Sequence, residues 1–367
     1  MKTALQYTTD IIAIQSHSGD EDAIAQHIYK VTKKWGTVQQ IGKSVVLHIA
    51  GQNRQKAFIL NGHTDTVPDS PQWATDPYTA YTKDDKLYGL GASDMKSGVG
   101  IMLALAEQNT HTQPLCDMWF MFVEQEETDG RGTKAVLDTM PDFNQAYPEG
   151  VEGIILEPTD ATHYGIGHKG NVFVQLTFKG EGGHGSVALP YTNRASYKAA
   201  HFIAKLSALQ KIWQQDYTHQ ILGSPTVNVT DLASLGSAAF NAVPQEVVVT
   251  LDIRTSPLLA THFEKELNML AKKYDFSYNY PYNPSGYGLC PESSVLLSYV
   301  RSTVPSHTIT VFQGATDQLF FTEKNIPMLI YGPGCNAVMH QPNEYVEITA
   351  IQKATTTIQK FITIFNN

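Results

Sequence analysis

Residues 117–124, DMWFMFVE, run almost without interruption through apolar side chains and then meet the acids of Glu124-Gln125-Glu126-Glu127. A near-continuous apolar strand is stable only in a sheet covered on both faces, so helices must lie above and below it. The rest of the chain supplies them. Ala4, Leu5, Ile11 and Ile12, then Ala23, Ile24, His27, Ile28 and Val31, recur at helical spacing, and Ser18-Gly19-Asp20 is a suitable opening for the second helix. Val45–Ile49 and Ala57–Leu60 are short and β-branched or aromatic, which predicts strands. SGVGIMLALAE at 97–107 predicts a buried helix, Gly132–Thr139 another, and GIILE at 153–157 a further buried strand. Alternating strands and helices predict an α/β domain with a central mixed sheet flanked by helices.

The texture changes near Gly170. NVFVQLTFK at 171–179 alternates apolar and polar residues, the signature of a half-exposed antiparallel strand, one that could pair at a sheet edge. A helix over about 193–213, strands at 226–232 and 246–254, a helix at 257–273 and a weak strand at 276–280 follow. This βαββαβ order predicts a separate α+β, ferredoxin-like domain. Beyond the loop YPYNPSGYG at 280–288, buried-type elements return: a helix at 295–301, strands at 308–311 and 327–330, and a closing helix at 348–364. The simplest division is a discontinuous domain, 1–170 with 284–367, interrupted by an inserted domain at 171–283. A length of 367 residues suits two domains.

Composition excludes several classes. With 42% hydrophobic and 17% charged residues, the chain carries enough apolar mass for a sizeable core. Lys and Arg total 26 against 35 Asp and Glu, a net −9, which argues against non-specific binding to nucleic acid or an anionic membrane. No run approaches 18 apolar residues, and MKTALQYTTDIIAIQS lacks the long apolar core and cleavage site of a signal peptide, so a cytoplasmic location is expected. Cys116, Cys290 and Cys335 are too widely spaced for a disulfide framework or a CxxC zinc site, whereas 13 histidines hint at metal chemistry.

Sites in open α/β sheets form at the carboxyl ends of strands. There the sequence places His63 in NGHTD, Glu126-Glu127, Glu157 in LEPT and, beyond GPG, His340; Asp94 in GASDMKSG precedes the helix at Ser97. Imidazole mixed with carboxylate suits Zn²⁺ or a similar first-row ion. Each residue has a plainer reading. His63 could be a hydrogen-bonded core histidine, Asp94 a helix N-cap, Glu126-Glu127 a solvated pair and Glu157 the start of a loop. Taken together these readings weaken, because adjacent carboxylates abutting an apolar strand repel unless a cation or proton compensates. Asp65, two residues after His63, could orient the ring.

In order along the chain stand NGHTDTVP, YGLGASDMKSGV, EQEET, LEPT, GGHGS, NAVP, DIR and GPG followed by MHQPNEYV. With these eight motifs the sequence resembles, over essentially its whole length, the dinuclear-zinc amidohydrolase and exopeptidase family of acetylornithine deacetylase, succinyl-diaminopimelate desuccinylase and glutamate carboxypeptidase. The resemblance implies two divalent ions per chain, Zn²⁺ first with Co²⁺ able to substitute. Asp94 would bridge them, His63 and Glu157 would complete one site, and Glu127 and His340 the other. It implies Glu126 as general base, Asp65 as the residue orienting His63, and His184 of GGHGS as oxyanion donor. Asn241 of NAVP and Arg254 of DIR would bind substrate, and Thr316 of GATDQLFF joins them as a candidate. The inserted domain would serve as lid and as the surface of a homodimer. The plainer readings are a structural His184 in its Gly-rich turn and a surface ion pair for Arg254.

Two positions depart from the pattern. Leu90 stands where many members carry Arg, and 314–321 lacks the Gly-Arg-Phe associated with proteobacterial desuccinylases. The implied activity is hydrolysis of an N-acyl-L-amino acid, with deacetylation and desuccinylation both open. A carboxypeptidase or dipeptidase of the same family is the alternative enzyme. An inactive metal-binding protein is the alternative of another class, against which all five ligands and Glu126 are present.

Overall fold

The computed structural model describes residues 1–187, 190–235 and 239–366. It divides into two compact units, one of residues 1–167, 288–312 and 316–367, the other of residues 168–287 with 313–315.

The larger unit is built on a nine-stranded mixed sheet. Its order is Thr37–Ile41, Ser44–Ile49, Cys116–Val123, Asn53–His63, Gly150–Ile155, Met328–Ile330, Tyr164–His168 and Gly288–Leu289, with Ile309–Phe312 branching from Tyr164–His168. Asn53–His63 runs parallel to both Cys116–Val123 and Gly150–Ile155, and Met328–Ile330 runs parallel to Gly150–Ile155. The carboxyl ends of these four parallel strands therefore share one edge. Burial follows the same direction. Asn53–His63 is exposed where it begins and buried through its last seven residues, Ala57 to His63.

Helix Ala4–Ile12 is opened by a capping box, with Thr3 accepting from Gln6 N–H and the Gln6 side chain accepting from Thr3 N–H. It lies against helix Ser97–His111 at Gly100, where a Cβ would come within 2.2 Å of Thr8 Oγ1, so only glycine allows the approach. The flanking helices cover a core that includes Phe58, Ile59, Leu60, Phe120, Met121 and Phe122. Each such side chain contributes about 1.5–3 kcal/mol by leaving water. No described helix is long and apolar enough to cross a membrane.

The smaller unit is a four-stranded antiparallel sheet, ordered Thr226–Leu235, Glu246–Thr255, Gly170–Lys179, Phe276–Asn279, with helices Ala195–Asp216 and Pro257–Tyr274. In chain order this is βαββαβ with spatial order 2-3-1-4, the ferredoxin-like arrangement. Val172, Val174, Leu176 and Phe178 point inward to a core shared with Phe202, Trp213, Leu259 and Phe263.

The structure corrects three readings of the sequence. Gly170–Lys179 lies between two strands and not at an edge; its alternation reflects one face packed on helices and one face open. The edges belong to Thr226–Leu235 and Phe276–Asn279. The second helix, Asp22–Thr32, has Glu21 at its cap position with no side-chain cap bond, so Ser18-Gly19-Asp20 forms the preceding turn. Asp94 is not the cap of helix Ser97–His111, whose cap position is Lys96. Strands Thr37–Ile41 and Tyr164–His168 and a small sheet of Tyr81–Lys83, Lys86–Tyr88 and Tyr345–Glu347 were not anticipated.

Candidate metal centre

Three of the four parallel strands lead directly to an acid or an imidazole at the shared edge. His63 is the last residue of Asn53–His63 and is 1% exposed. Glu126 and Glu127 follow Cys116–Val123 through Gln125, which turns the chain at φ +54°. Glu157 lies two residues past Gly150–Ile155, buried. Asp94 comes from an irregular turn entered by Gly91 at φ +76°, and the Asp94–Met95 peptide bond is cis.

The geometry around Asp94 is two-sided. Its Oδ1 lies 3.1 Å from His63 Nε2, and its Oδ2 lies 3.2 Å from His340 Nε2. Glu157 Oε1 is 3.9 Å from His63 Nε2, and Glu127 Oε1 is 3.0 Å from His340 Nε2. Two three-residue clusters result, His63–Asp94–Glu157 and Asp94–Glu127–His340, each with its donor atoms within 4.8 Å of one another. Asp94 belongs to both. His63 Nδ1 lies 3.0 Å from the Asp65 carbonyl and 3.4 Å from its carboxylate, so main chain and side chain both hold the ring. The Asp65 carboxylate also accepts from Ser18 Oγ and from the N–H groups of Glu126 and Glu127.

The electrostatics are those of a crowded acid cluster. Burial and then the Asp94 charge push Glu157 well above the usual carboxylate range, and burial and then Glu157 do the same to Glu126. Glu127 is raised by burial and by Asp94. His340 is raised to about 10 by its bonds to Asp94 and Glu127. His63 is raised as well, since Asp65 and Asp94 overcome burial. Buried carboxylates are stable when paired or when they coordinate a metal. Glu157 Oε1 is buried with no hydrogen-bond partner, the mark of a ligand atom whose partner is a cation. The donor set, two imidazoles and three carboxylates sharing one bridge, fits a pair of divalent first-row ions.

The smaller unit holds three of the sequence candidates. His184 pairs with Ala242 across a short antiparallel ladder, and its Nε2 lies 3.0 Å from Asn241 Nδ2, so these two exposed residues are neighbours. His184 Nδ1 meets Ser186 Oγ at 2.7 Å. Arg254 donates from Nε and Nη2 to the two oxygens of Asp252, at 2.9 and 3.1 Å. Thr316, in the larger unit, is buried, and its Oγ1 accepts Gln318 N–H at 3.2 Å.

Sequence reasoning missed residues behind the ligands. Glu344 accepts N–H groups of the turn that carries Asp94. Lys96 is buried with Nζ donating to the Ile14 carbonyl, and burial pushes it down to about 7 against the pull of Glu344. Asn61 donates to Thr133, which donates to Asp317 at 2.6 Å; burial raises Asp317 to about 7. Only the acid in PNEYV and the polar residues beside ligand motifs could have signalled them.

The chain is similar to known proteins over most of its length. The sequence profile of the family described as Peptidase family M20/M25/M40 matches residues 59–364. A succinyl-diaminopimelate desuccinylase of Xanthomonas euvesicatoria is 28% identical over 374 residues, covering 96% of each chain. A tripeptidase of Staphylococcus aureus superposes with a TM-score of 0.77 at 18% identity, covering 99% of this chain and 98% of its own. A dinuclear metal binding peptidase of Bacillus subtilis superposes with a TM-score of 0.68 at 14% identity, covering 99% and 96%.

Proposed function

The chain belongs to peptidase family M20/M25/M40 and is a hydrolase of amide bonds, and on that premise we propose that it cleaves an N-acyl-L-amino acid with two divalent ions. His63, Asp94 and Glu157 would hold one ion, and Asp94, Glu127 and His340 the other. The observation that carries this reading is Asp94, whose two oxygens each face a different imidazole at 3.1 and 3.2 Å. Zn²⁺ suits the donors, with Co²⁺ able to substitute.

Ions bound there would acidify a shared water and polarise the substrate carbonyl. Glu126 takes the proton as the water oxygen bonds to the carbonyl carbon. When the C–N bond breaks, Glu126 returns that proton to the departing nitrogen, leaving a carboxylic acid and an amine. Asp65 fixes the Glu126 main chain for this task. His184 is the proposed oxyanion donor, with Asn241 beside it. Arg254 is the proposed grip on a substrate carboxylate, taken over from Asp252. Thr316 is the weakest substrate candidate, since its hydroxyl is already engaged.

The name of the Xanthomonas relative supports a small succinylated substrate of amino-acid biosynthesis, and an acetylated one remains the other acyl class to test. The name of the Staphylococcus structure supports the second reading, an exopeptidase acting on short peptides. We also propose a cytoplasmic homodimer formed through the smaller unit. The test is a panel of N-acetyl amino acids, N-succinyl amino acids and dipeptides, offered with Zn²⁺ or Co²⁺. Turnover of one acyl class, abolished by chelation and restored by metal, is expected. Turnover of peptides alone would replace this reading with the second.

A further inference from the structure

Glu344 lies four residues after His340, in the segment that supplies that imidazole, and is 1% exposed. Its Oε2 accepts Gly91 N–H at 2.9 Å, and its Oε1 accepts Ser93 N–H at 2.7 Å and Asp94 N–H at 2.9 Å. Its main-chain carbonyl accepts Gly89 N–H at 3.1 Å. A second tie joins the same two segments. Ser93 Oγ donates to the Cys335 carbonyl at 2.9 Å and accepts Cys335 N–H at 2.6 Å. Gly334 sits against Ser93 so closely that a Cβ would come within 2.0 Å of the Ser93 carbonyl oxygen.

These contacts answer a specific need. Asp94 (φ −122°, ψ 100°) and Met95 (φ −126°, ψ 40°) depart from helical dihedrals, so the turn has no regular ladder to satisfy its N–H groups. Buried N–H groups must find partners. One carboxylate supplies them for Gly91, Ser93 and Asp94 together. It does so from the segment that carries His340, so the two ligands of one cluster are set against each other by a single side chain.

We infer that Glu344 is a positioning residue for the metal centre: it holds Asp94 where the two oxygens face His63 and His340. The inference rests on the dinuclear reading above. Glutamine at this position offers one acceptor oxygen and turns an amide N–H₂ toward a main-chain N–H. The turn that carries Asp94 would then relax, and both ions would lose their shared ligand's fixed position.

Glu152 provides the matched control. It is also a buried glutamate with three donors, Ser294 Oγ, Val295 N–H and Leu296 N–H, but it anchors helix Val295–Thr303 instead of a ligand turn. Metal-stripped wild type, Glu344→Gln, Glu344→Asp and Glu152→Gln are titrated with Co²⁺, following the visible absorption of the bound ions, and thermal unfolding of each metal-free protein is recorded. Glu344→Gln should bind Co²⁺ about 10–100-fold more weakly, the usual effect of losing a partner behind a ligand. Its kcat should fall with little change in KM, and Glu344→Asp should lie between it and the wild type. Glu152→Gln should lose thermal stability and keep wild-type Co²⁺ affinity. Should Glu344→Gln fail to fold, the Asp variant alone decides, by weaker binding or by none. Wild-type Co²⁺ affinity in both Glu344 variants overturns the inference while leaving two ions in place. A wild-type protein that takes up fewer than two ions overturns the dinuclear reading itself.

Discussion

The carboxylate of Asp65 accepts the main-chain N–H of Glu126 at 3.1 Å. The same carboxylate accepts Glu127 N–H and lies 3.4 Å from the His63 ring, so one side chain sets a proposed ligand against the loop that carries the proposed base. Glu126 itself belongs to neither three-residue cluster. Glu126→Gln, which keeps the size and removes the basicity, should therefore cut turnover by about 10²–10⁴-fold. Its metal content should match the wild type in elemental analysis. Loss of metal from this variant would mean that Glu126 and Glu127 have been assigned the wrong way round.

Removal of ligands should be asymmetric. Glu157 and His63 serve one cluster, Glu127 and His340 the other, and Asp94 both. Glu157→Ala and Glu127→Ala should each reduce the ions bound at saturating metal from about two to about one, the stoichiometry of a two-metal site with one half removed. Asp94→Ala should weaken both. Equal losses from all three variants in equilibrium dialysis would contradict a bridging role for Asp94.

Much of this was legible because the chemistry sits at strand ends. DMWFMFVE and GIILE announce buried parallel strands, and the residues that follow such strands are the ones a sheet can gather. Asp94 and His340 stood among the candidates before the family resemblance, which added only the roles proposed for them. What was not legible depends on main-chain contacts. Nothing in the spelling of PNEYV says that Glu344 binds N–H groups 250 residues earlier in the chain. The alternation of 171–179 reports one covered face and is silent on lateral neighbours, so it could not tell a central strand from an edge. The order His63, then Asp65, suggested a carboxylate orienting the ring; the Asp65 carbonyl, which is closer, carries no sequence signal.

Away from the centre, Asp117 should govern part of the acid stability. It is 1% exposed and accepts from Gly51 N–H, the His48 ring and Tyr147 OH, with Arg54 2.8 Å away. Burial alone would raise its pKa, but the Gly51 bond, His48 and Arg54 hold it below the usual value. A depressed folded-state pKa stabilises the protein above the unfolded value, about 3.9, and that stabilisation is lost as pH falls through the folded value. Asp117→Asn should cost about 1.5–3 kcal/mol at pH 7, the worth of hydrogen bonds to a charged group. The gap to the wild type should narrow as pH drops below about 3.9. Urea unfolding at pH 7 and pH 3 checks this, and a gap that widened in acid would refute it.

The edge strand Thr226–Leu235 exposes Val229, Leu232 and Leu235, at 38%, 57% and 47%. An unpaired edge with apolar side chains is a template for pairing with a second chain. Light scattering at micromolar concentration should report a dimer mass, and Leu232→Lys should shift it to the monomer. A monomeric, fully active wild type would remove the dimer from the proposal.

His184 and Arg254 should separate in kinetics, because they would act at different stages. An oxyanion donor works where charge develops, in the transition state. His184→Ala should therefore lower kcat about 10²–10³-fold and leave KM nearly unchanged. Asn241, 3.0 Å from His184, would help to aim the ring, so Asn241→Ala should show the same pattern more weakly. Arg254 would grip a carboxylate present before and during reaction, so Arg254→Ala should raise KM and spare kcat. Its present bond to Asp252 adds a second arm. Asp252→Asn releases the guanidinium from a competing charge, and KM should fall if a substrate carboxylate takes that place. If His184 merely fills a Gly-rich turn, His184→Ala would lower the melting temperature and leave the rate within a few-fold. If Arg254 and Asp252 form only a surface ion pair, both variants would keep wild-type KM, and the carboxylate of the substrate would have to be held elsewhere.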